Sequence, residues 1–171
     1  MFESAELGHV IEKETFKREI PKLRAALLDV QYDMLEKKDF PVVILISGVD
    51  GSGKGETINL LYSWMDPRHI STLAFSAPSD EERSRPYMWR YWRALPPQGK
   101  IGIFAGSWYS QPIADSILGT MADTDLDDRL DDINRFEVML VNEGALVLKL
   151  WFHLSKDGQK QRLRALEKNP R

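Results

Sequence analysis

Four short apolar runs divide the chain, and between them the apolar residues recur at helical spacing. Val42 to Ile46 (VVILI) is unbroken, β-branched and leucine-rich. Such a run is too short for a free helix and too apolar for an exposed strand, so it predicts a central strand buried on both faces. Ile70 to Phe75 alternates and is β-branched, which predicts a second strand. Lys100 to Phe104 (KIGIF) follows the turn residues Pro96-Pro97-Gln98-Gly99 and predicts a third, and Ala145 to Phe152 (ALVLKLWF) predicts a fourth buried strand. Val42–Ile46 and Leu146–Leu150 are the expected sheet core.

Met1 to Glu14 is polar with scattered apolar residues and reads as an arm over the domain. Glu19 to Lys38 carries Leu23, Ala26, Leu27, Val30 and Met34 on one helical stripe, with Pro21 placed for a first turn. Further helices are expected over Glu56–Met65, from near Asp80, over Thr124–Asn142 with Phe136, Met139 and Leu140 inward, and over Ser155–Leu166. Ser79 followed by Glu82 is a capping-box pattern for the helix near Asp80, which Pro86 then interrupts. Strands alternating with helices predict an α/β fold, a parallel sheet flanked by helices in three layers. One domain over 1–171 is expected, with 1–40 as arm and helix and 41–171 as core.

The join between the first strand and the next helix carries the chemistry. Gly48, Gly51, Gly53 and Lys54 match G-x-x-x-x-G-K, and strand, glycine loop, lysine, helix is the context a phosphate-binding loop requires. Glycines let backbone N–H groups turn toward a phosphate, and the helix N-terminus adds partial positive charge. The phosphate-binding residues are therefore expected to be Gly48, Gly51, Ser52, Gly53, Lys54 and Gly55. Two positions are unusual. Gly55 stands where a magnesium-binding Ser or Thr is usual, with Thr57 two residues on. Asp50 puts an anion into a loop built for anions; it either caps turn amides, or binds magnesium, or orients an acceptor phosphate.

Composition narrows the classes. A chain of 171 residues with 43% hydrophobic content is the size of one domain with a real core. Without cysteine there is neither a disulfide framework nor a thiolate metal site. Glu3, Glu6, Glu12 and Glu14 exclude an apolar signal-peptide core, and no apolar run approaches a membrane span. A cytoplasmic protein without membrane or nucleic-acid partners is expected. At a net charge of −3, any polyanion site must be a local basic patch. Arg85, Arg90 and Arg93, interleaved with Tyr87, Trp89, Tyr91 and Trp92, supply one candidate, since arginine pairs with phosphate bidentately. A core face of Trp89 and Trp92 with solvated arginines is the plainer alternative. Asp125, Asp127, Asp128, Asp131 and Asp132 read as a solvated helix start.

The third strand should end in an aspartate that holds the magnesium shell. Here it ends Ala105-Gly106-Ser107-Trp108-Tyr109. Several motifs together resemble the polyphosphate kinase 2 family, of nucleoside/thymidylate-kinase-like P-loop fold. The family loop G-x-D-x-x-G-K-G fits Gly48, Asp50, Gly53, Lys54 and Gly55, which accounts for both unusual positions. A proline loop and capped acidic helix match Ala77 to Glu82, an aromatic-arginine stretch matches Trp89 to Trp92, and L-P-P-x-G matches Leu95 to Gly99. F-D-R-S-W-Y corresponds to Phe104 to Tyr109, F-E-x-M-L-x-x-x-G to Phe136 to Gly144, and W-F-x-x-S to Trp151 to Ser155. The resemblance runs from about Pro21 to the last residue and is closest to the N-terminal copy of a two-domain, polyphosphate:AMP phosphotransferase branch.

The resemblance implies Mg²⁺-assisted phosphoryl transfer from inorganic polyphosphate to AMP or ADP. Lys54 would bind the transferring phosphate, Asp50 would hold the metal or the acceptor, and Arg162 would steady the charge. It also implies a second fused kinase-like domain, and a chain cut before its last strand and lid. Homo-oligomerisation is compatible with the family, though no residue argues for it. The departures are Ala105 and Gly106, which stand where the family has a metal-binding aspartate and a phosphate-binding arginine. For a protein containing this chain the expectation is therefore a polyphosphate-dependent phosphotransferase. For the chain alone, a non-catalytic copy that binds phosphate or supports a partner domain is favoured. An ordinary nucleoside monophosphate kinase fits less well, because of Gly55 and the missing acid.

Overall fold

In the computed structural model, residue 8 and residues 10–168 are described. Helix α1 (Lys13–Lys37) leads into β1 (Val42–Gly48), α2 (Lys54–Trp64) and β2 (Ile70–Ala74). Two single-turn helices follow, α3 (Asp80–Arg83) and α4 (Trp89–Trp92), then β3 (Ile101–Ala105), α5 (Ser110–Ile117), α6 (Asp123–Asn142), β4 (Leu146–Phe152) and α7 (Lys156–Glu167). The four strands form one parallel sheet in the order β2-β3-β1-β4.

β1 feeds two cores because successive side chains point to opposite faces. Val43 and Leu45 join Phe104, Trp108, Ile133, Phe136 and Leu140 on the α6 side. Val42, Ile44 and Ile46 join Met34, Ile70, Ile101 and Ile103 on the other, where Ile58 and Leu61 of α2 pack. On that second side α1 is keyed to the turn before β2. Gln31 is fully buried, donates to the Asp66 carbonyl (2.9 Å) and accepts from the Asp66 N–H (2.7 Å). The Asp66 carboxylate caps Arg68 N–H and takes its guanidinium, and that hydrogen bond holds its pKa well below the usual carboxylate range.

Three expectations need correction. β4 is not buried: the strand order makes it a sheet edge, and Leu146, Leu148 and Leu150 are 40–44% exposed. α1 starts at Lys13 rather than Glu19, so Pro21 lies inside the helix on its exposed side and not in the first turn. The helix also takes in Lys13 and Glu14, the end of the expected arm; residues 1–7 and 9 of that arm lie outside the described residues. Finally, no helix is expected from the sequence between Tyr109 and Thr124, yet α5 forms there with Pro112 inside it. Pro112 is the third residue of α5, within the first turn, where its missing N–H has no helical partner to lose. The capping box is as expected: Ser79 Oγ accepts from Glu82 N–H while Glu82 accepts from Ser79 N–H.

Candidate functional site

β1 ends at Gly48, whose φ is +141°. A Cβ there would lie 2.1 Å from the Phe152 carbonyl oxygen, so the close approach of β4 to the strand end requires glycine. Val49 N–H donates to that same carbonyl (3.1 Å) and thereby ties the start of the loop to β4. Gly53, left-handed at φ +98°, caps α2, and Lys54 is its first residue, two positions earlier than the sequence pattern implies. The Lys54 ammonium donates to the carbonyls of Gly48 (2.6 Å) and Val49 (2.9 Å) and lies 3.8 Å from Asp50 Oδ1. The Ser52 hydroxyl is buried in this loop without a hydrogen-bond partner among the described residues.

Helix α7 closes over the loop. Gln159 Nε2 donates to the Asp50 carbonyl (2.9 Å), and Leu163 packs beside Gly51. Arg162 reaches the Gly53 side of the loop and pairs with Glu56 on α2 at 2.7 Å. Asp50, Lys54, Arg162 and the loop glycines are thus brought together from elements separated by about a hundred residues of sequence.

The other arginines are placed differently. Arg90 is turned inward, with its guanidinium donating to the Ser76 carbonyl, lying 3.4 Å from Glu82 and stacking on Phe75 and Tyr91. Arg85 and Arg93 both lie over the Trp89 ring. Because α4 is a single turn, the stretch forms no extended arginine face. Trp92, which the plainer alternative put in a core face, is half exposed although it meets Phe136 edge-on.

A magnesium ion needs oxygen donors, and usually one or two protein carboxylates with substrate phosphates. Asp50 is 94% exposed and offers one such carboxylate. The Thr57 hydroxyl donates to the Gly53 carbonyl within α2 and does not substitute for the residue replaced by Gly55. At the end of β3, Ala105 offers no side-chain donor, and Gly106 sits at φ +80° with its N–H on the Ile46 carbonyl. Among the described residues no three acidic or imidazole groups form a metal cluster. The donor set fits a metal held by Asp50 and bound phosphates together.

The turn after β3 is nevertheless firmly built. Tyr87 OH donates to the Trp108 carbonyl (2.7 Å), Tyr91 OH to the Ser107 carbonyl (3.3 Å), and Trp108 Nε1 to Glu137 (3.0 Å). Sequence reasoning missed this scaffold as a functional element, although Ser107-Trp108-Tyr109 and Glu137 stand inside motifs it had singled out. Between this turn and the ends of β1 and β4 lies a cavity of about 400 Å³, lined by Ser47, Lys54, Ser107, Ile113, Lys149 and Trp151 among others.

Comparison with known proteins agrees with this fold. Residues 10–171 match the family model for polyphosphate kinase 2. A Pseudomonas aeruginosa polyphosphate:AMP phosphotransferase is 53% identical over 170 residues, covering 99% of this chain and 34% of that protein. A P. aeruginosa protein crystallised as a polyphosphate kinase 2 superposes with TM-score 0.91 at 52% identity, covering 95% of this chain and 35% of the other. The polyphosphate kinase 2 of Arthrobacter aurescens superposes with TM-score 0.89 at 28% identity, over 96% of this chain and 59% of that one. The chain thus spans about a third of the length of its Pseudomonas relative. Among the described residues no helix is long and apolar enough to cross a membrane. With its glycine loop, its parallel α/β sheet and its match over nearly all residues, the chain belongs to the polyphosphate kinase 2 family.

Proposed function

We propose that the protein carrying this chain transfers a phosphoryl group from inorganic polyphosphate to AMP, and that the Gly48–Gly55 loop binds the phosphates. The observation that carries the reading is the loop itself, with Lys54 at the head of α2 and the unpartnered Ser52 hydroxyl buried beside it. A buried hydroxyl without a partner costs about 1–3 kcal/mol, which a phosphate oxygen would recover.

In the reaction the terminal P–O–P bond of polyphosphate breaks, a P–O bond to the AMP phosphate forms, and the shortened polymer leaves as an anion. Catalysis of this kind is mostly positioning and charge stabilisation. Lys54 neutralises the transferring phosphate. Arg162, held by Glu56, faces the same loop and adds a second positive charge. Mg²⁺ held by Asp50 and the phosphates would supply further charge neutralisation. A second kinase-like domain in a longer chain accords with relatives about three times the length of this one.

One observation favours the alternative, that this copy binds phosphate without catalysing. β3 ends in Ala105 and Gly106, with no charged side chain at either position. The test is polyphosphate- and Mg²⁺-driven conversion of AMP to ADP, measured by chromatography for the protein and its Lys54→Ala variant. A loss of roughly 10²-fold or more, the scale for one lost transition-state donor, upholds catalysis at this loop. Unchanged activity leaves this copy as a binding or supporting module.

A further inference from the structure

The charged side chains around the glycine loop pair with one another. Lys54 lies 3.8 Å from Asp50 Oδ1, and Arg162 Nη2 donates to Glu56 Oε1 at 2.7 Å. Two cations against two carboxylates leave these four side chains without net charge. A loop that receives a polyanion gains from a positive field, so each carboxylate there calls for a reason. Asp50 has one in the metal that it would hold. A carboxylate in the first turn of a helix is stabilising by itself, and Glu56 is the third residue of α2. That would account for Glu56 if it served α2 alone, but it reaches across to α7 and takes the Arg162 guanidinium.

Gln159, Arg162 and Leu163 share one face of α7, at i, i+3 and i+4, and that face lies on the loop. Gln159 Nε2 donates to the Asp50 carbonyl (2.9 Å), and Leu163 Cδ2 lies 3.5 Å from where a Gly51 Cβ would stand. Arg162 Nη2 lies 4.0 Å from where a Gly53 Cβ would stand, at the cap of α2. The Arg162 nitrogen nearest the loop is thus the nitrogen that Glu56 holds. Toward that nitrogen the Glu56 carboxylate plays the part of a phosphate oxygen. The pair is open to water, with Arg162 42% and Glu56 64% exposed, so it is weak enough to be exchanged. Exchange needs only a change of side-chain rotamer, since Gln159 and Leu163 keep α7 on the loop.

We infer that Glu56 is an internal competitor for Arg162: it holds the guanidinium at the rim of the loop and gives it up when a phosphate chain binds. The guanidinium then moves from Glu56 to a phosphate oxygen, and the carboxylate turns to water. Glu56 touches no reacting atom. It is a positioning residue that acts through Arg162 and lowers the affinity of the loop for anions. The inference rests on the reading of the loop as a phosphate site and deepens it, by assigning a regulator to that site. The opposite role, in which Glu56 holds Arg162 ready for phosphate, predicts an effect of the opposite sign.

Titration calorimetry with inorganic tripolyphosphate, at low ionic strength and without metal or nucleotide, tests this on the protein carrying this chain. Glu56→Gln keeps the shape and a hydrogen-bond acceptor and removes the charge. It is expected to tighten tripolyphosphate roughly fivefold, the upper end for an exposed ion pair that no longer has to be broken. In an Arg162→Gln background the same substitution is expected to change binding by less than about twofold, the remainder left by simple repulsion. Binding elsewhere in the protein is common to all variants, so differences among them report this loop. The competitor role is overturned if Glu56→Gln weakens tripolyphosphate, which makes Glu56 a support for Arg162, or leaves it unchanged. It is also overturned if the gain is equal in both backgrounds, which makes Glu56 a repelling charge and no more. Lys54→Ala separates the two levels. If it weakens tripolyphosphate while Glu56→Gln has no effect, the loop reading stands and the competitor role falls. If tripolyphosphate binds Lys54→Ala as it binds the unaltered protein, both fall.

Discussion

The ends of β1 and β3 lie side by side in the sheet, joined by the Gly106 N–H to Ile46 carbonyl bond, yet they have opposite constitutions. The β1 end is rich in chemistry and light in packing: Lys54 and Asp50 project from a glycine loop held by Phe152, Gln159 and Leu163. The β3 end is rich in packing and poor in charge. Trp108 is completely buried, ringed by Tyr91, Phe104 and Phe136 at centroid distances of 5.7, 5.9 and 5.1 Å, while Ala105 and Gly106 carry no ionisable group. None of the bonds that hold the β3 turn uses a side chain at 105 or 106. Chemistry and architecture are therefore separable at this strand end, and residues there are free to lose the first while keeping the second.

The sharpest test of that separation is a pair of substitutions. Trp108→Ala is expected to cost about 3–5 kcal/mol of stability, the range for emptying a buried tryptophan site, as measured by urea denaturation. Lys54→Ala, which removes two hydrogen bonds to loop carbonyls, is expected to cost about 1–2 kcal/mol, less than the tryptophan, but to lower phosphotransfer roughly 10²–10³-fold if this loop catalyses. If Lys54→Ala unfolds the protein, or Trp108→Ala does not destabilise it, the division between the two strand ends is wrong.

A smaller effect concerns restoring charge at the β3 end. Gly106 lies at φ +80° with a would-be Cβ 3.3 Å from the Phe75 carbonyl oxygen. Gly106→Arg is thus expected to cost about 1–2 kcal/mol in backbone strain, a penalty that Ala105→Asp, outside the positive-φ residues, avoids. Ala105→Asp is the better single restoration. If the missing acid limits the reaction, it raises the rate of AMP phosphorylation by tenfold or more, against the roughly 10²–10³ that one charge-stabilising donor is worth. No gain would mean that the β3 acid is not what limits this copy.

The sheet and the loop were legible in the sequence because each has a local signature: a buried run, a glycine spacing, a capping box. The position of β4 was not. LVLKLWF and VVILISG both read as mostly apolar strands, and strand order makes one an edge and the other a centre. Lys149 in mid-run was the available signal, since a strand buried on both faces seldom carries an ammonium. Arg162 was placed beside the loop by the resemblance, but its Glu56 partner lies 106 residues away and left no trace in local pattern. Likewise Glu137 read as part of a helix motif. Its function as a three-donor acceptor depends on Trp108, Tyr109 and Lys149, which only the tertiary fold assembles. Local spacing reports elements; it is silent on which side chains meet across them.

The smallest expected effect tests whether the packed strand end also depends on its hydroxyls. Tyr87 OH donates to the Trp108 carbonyl at 2.7 Å, so Tyr87→Phe removes one bond and leaves a buried carbonyl short of a partner, a loss of about 1 kcal/mol at neutral pH. Burial raises the pKa of Tyr87 well above the ordinary tyrosine value of 10.0, and it raises Tyr91 and Tyr109 as well. A raised pKa means the folded state favours the protonated phenol. The associated stability is complete below the unfolded value of 10.0 and is lost as pH rises above it toward the folded value. Denaturation followed from pH 8 to about 11 should therefore show stability falling above pH 10, with a shallower fall in Tyr87→Phe. Equal slopes in the two proteins would mean that Tyr87 ionises as easily folded as unfolded. The wall of the β3 turn would then be open to water on the Tyr87 side, and the contrast with the loop at β1 would rest on the Trp108 cluster alone.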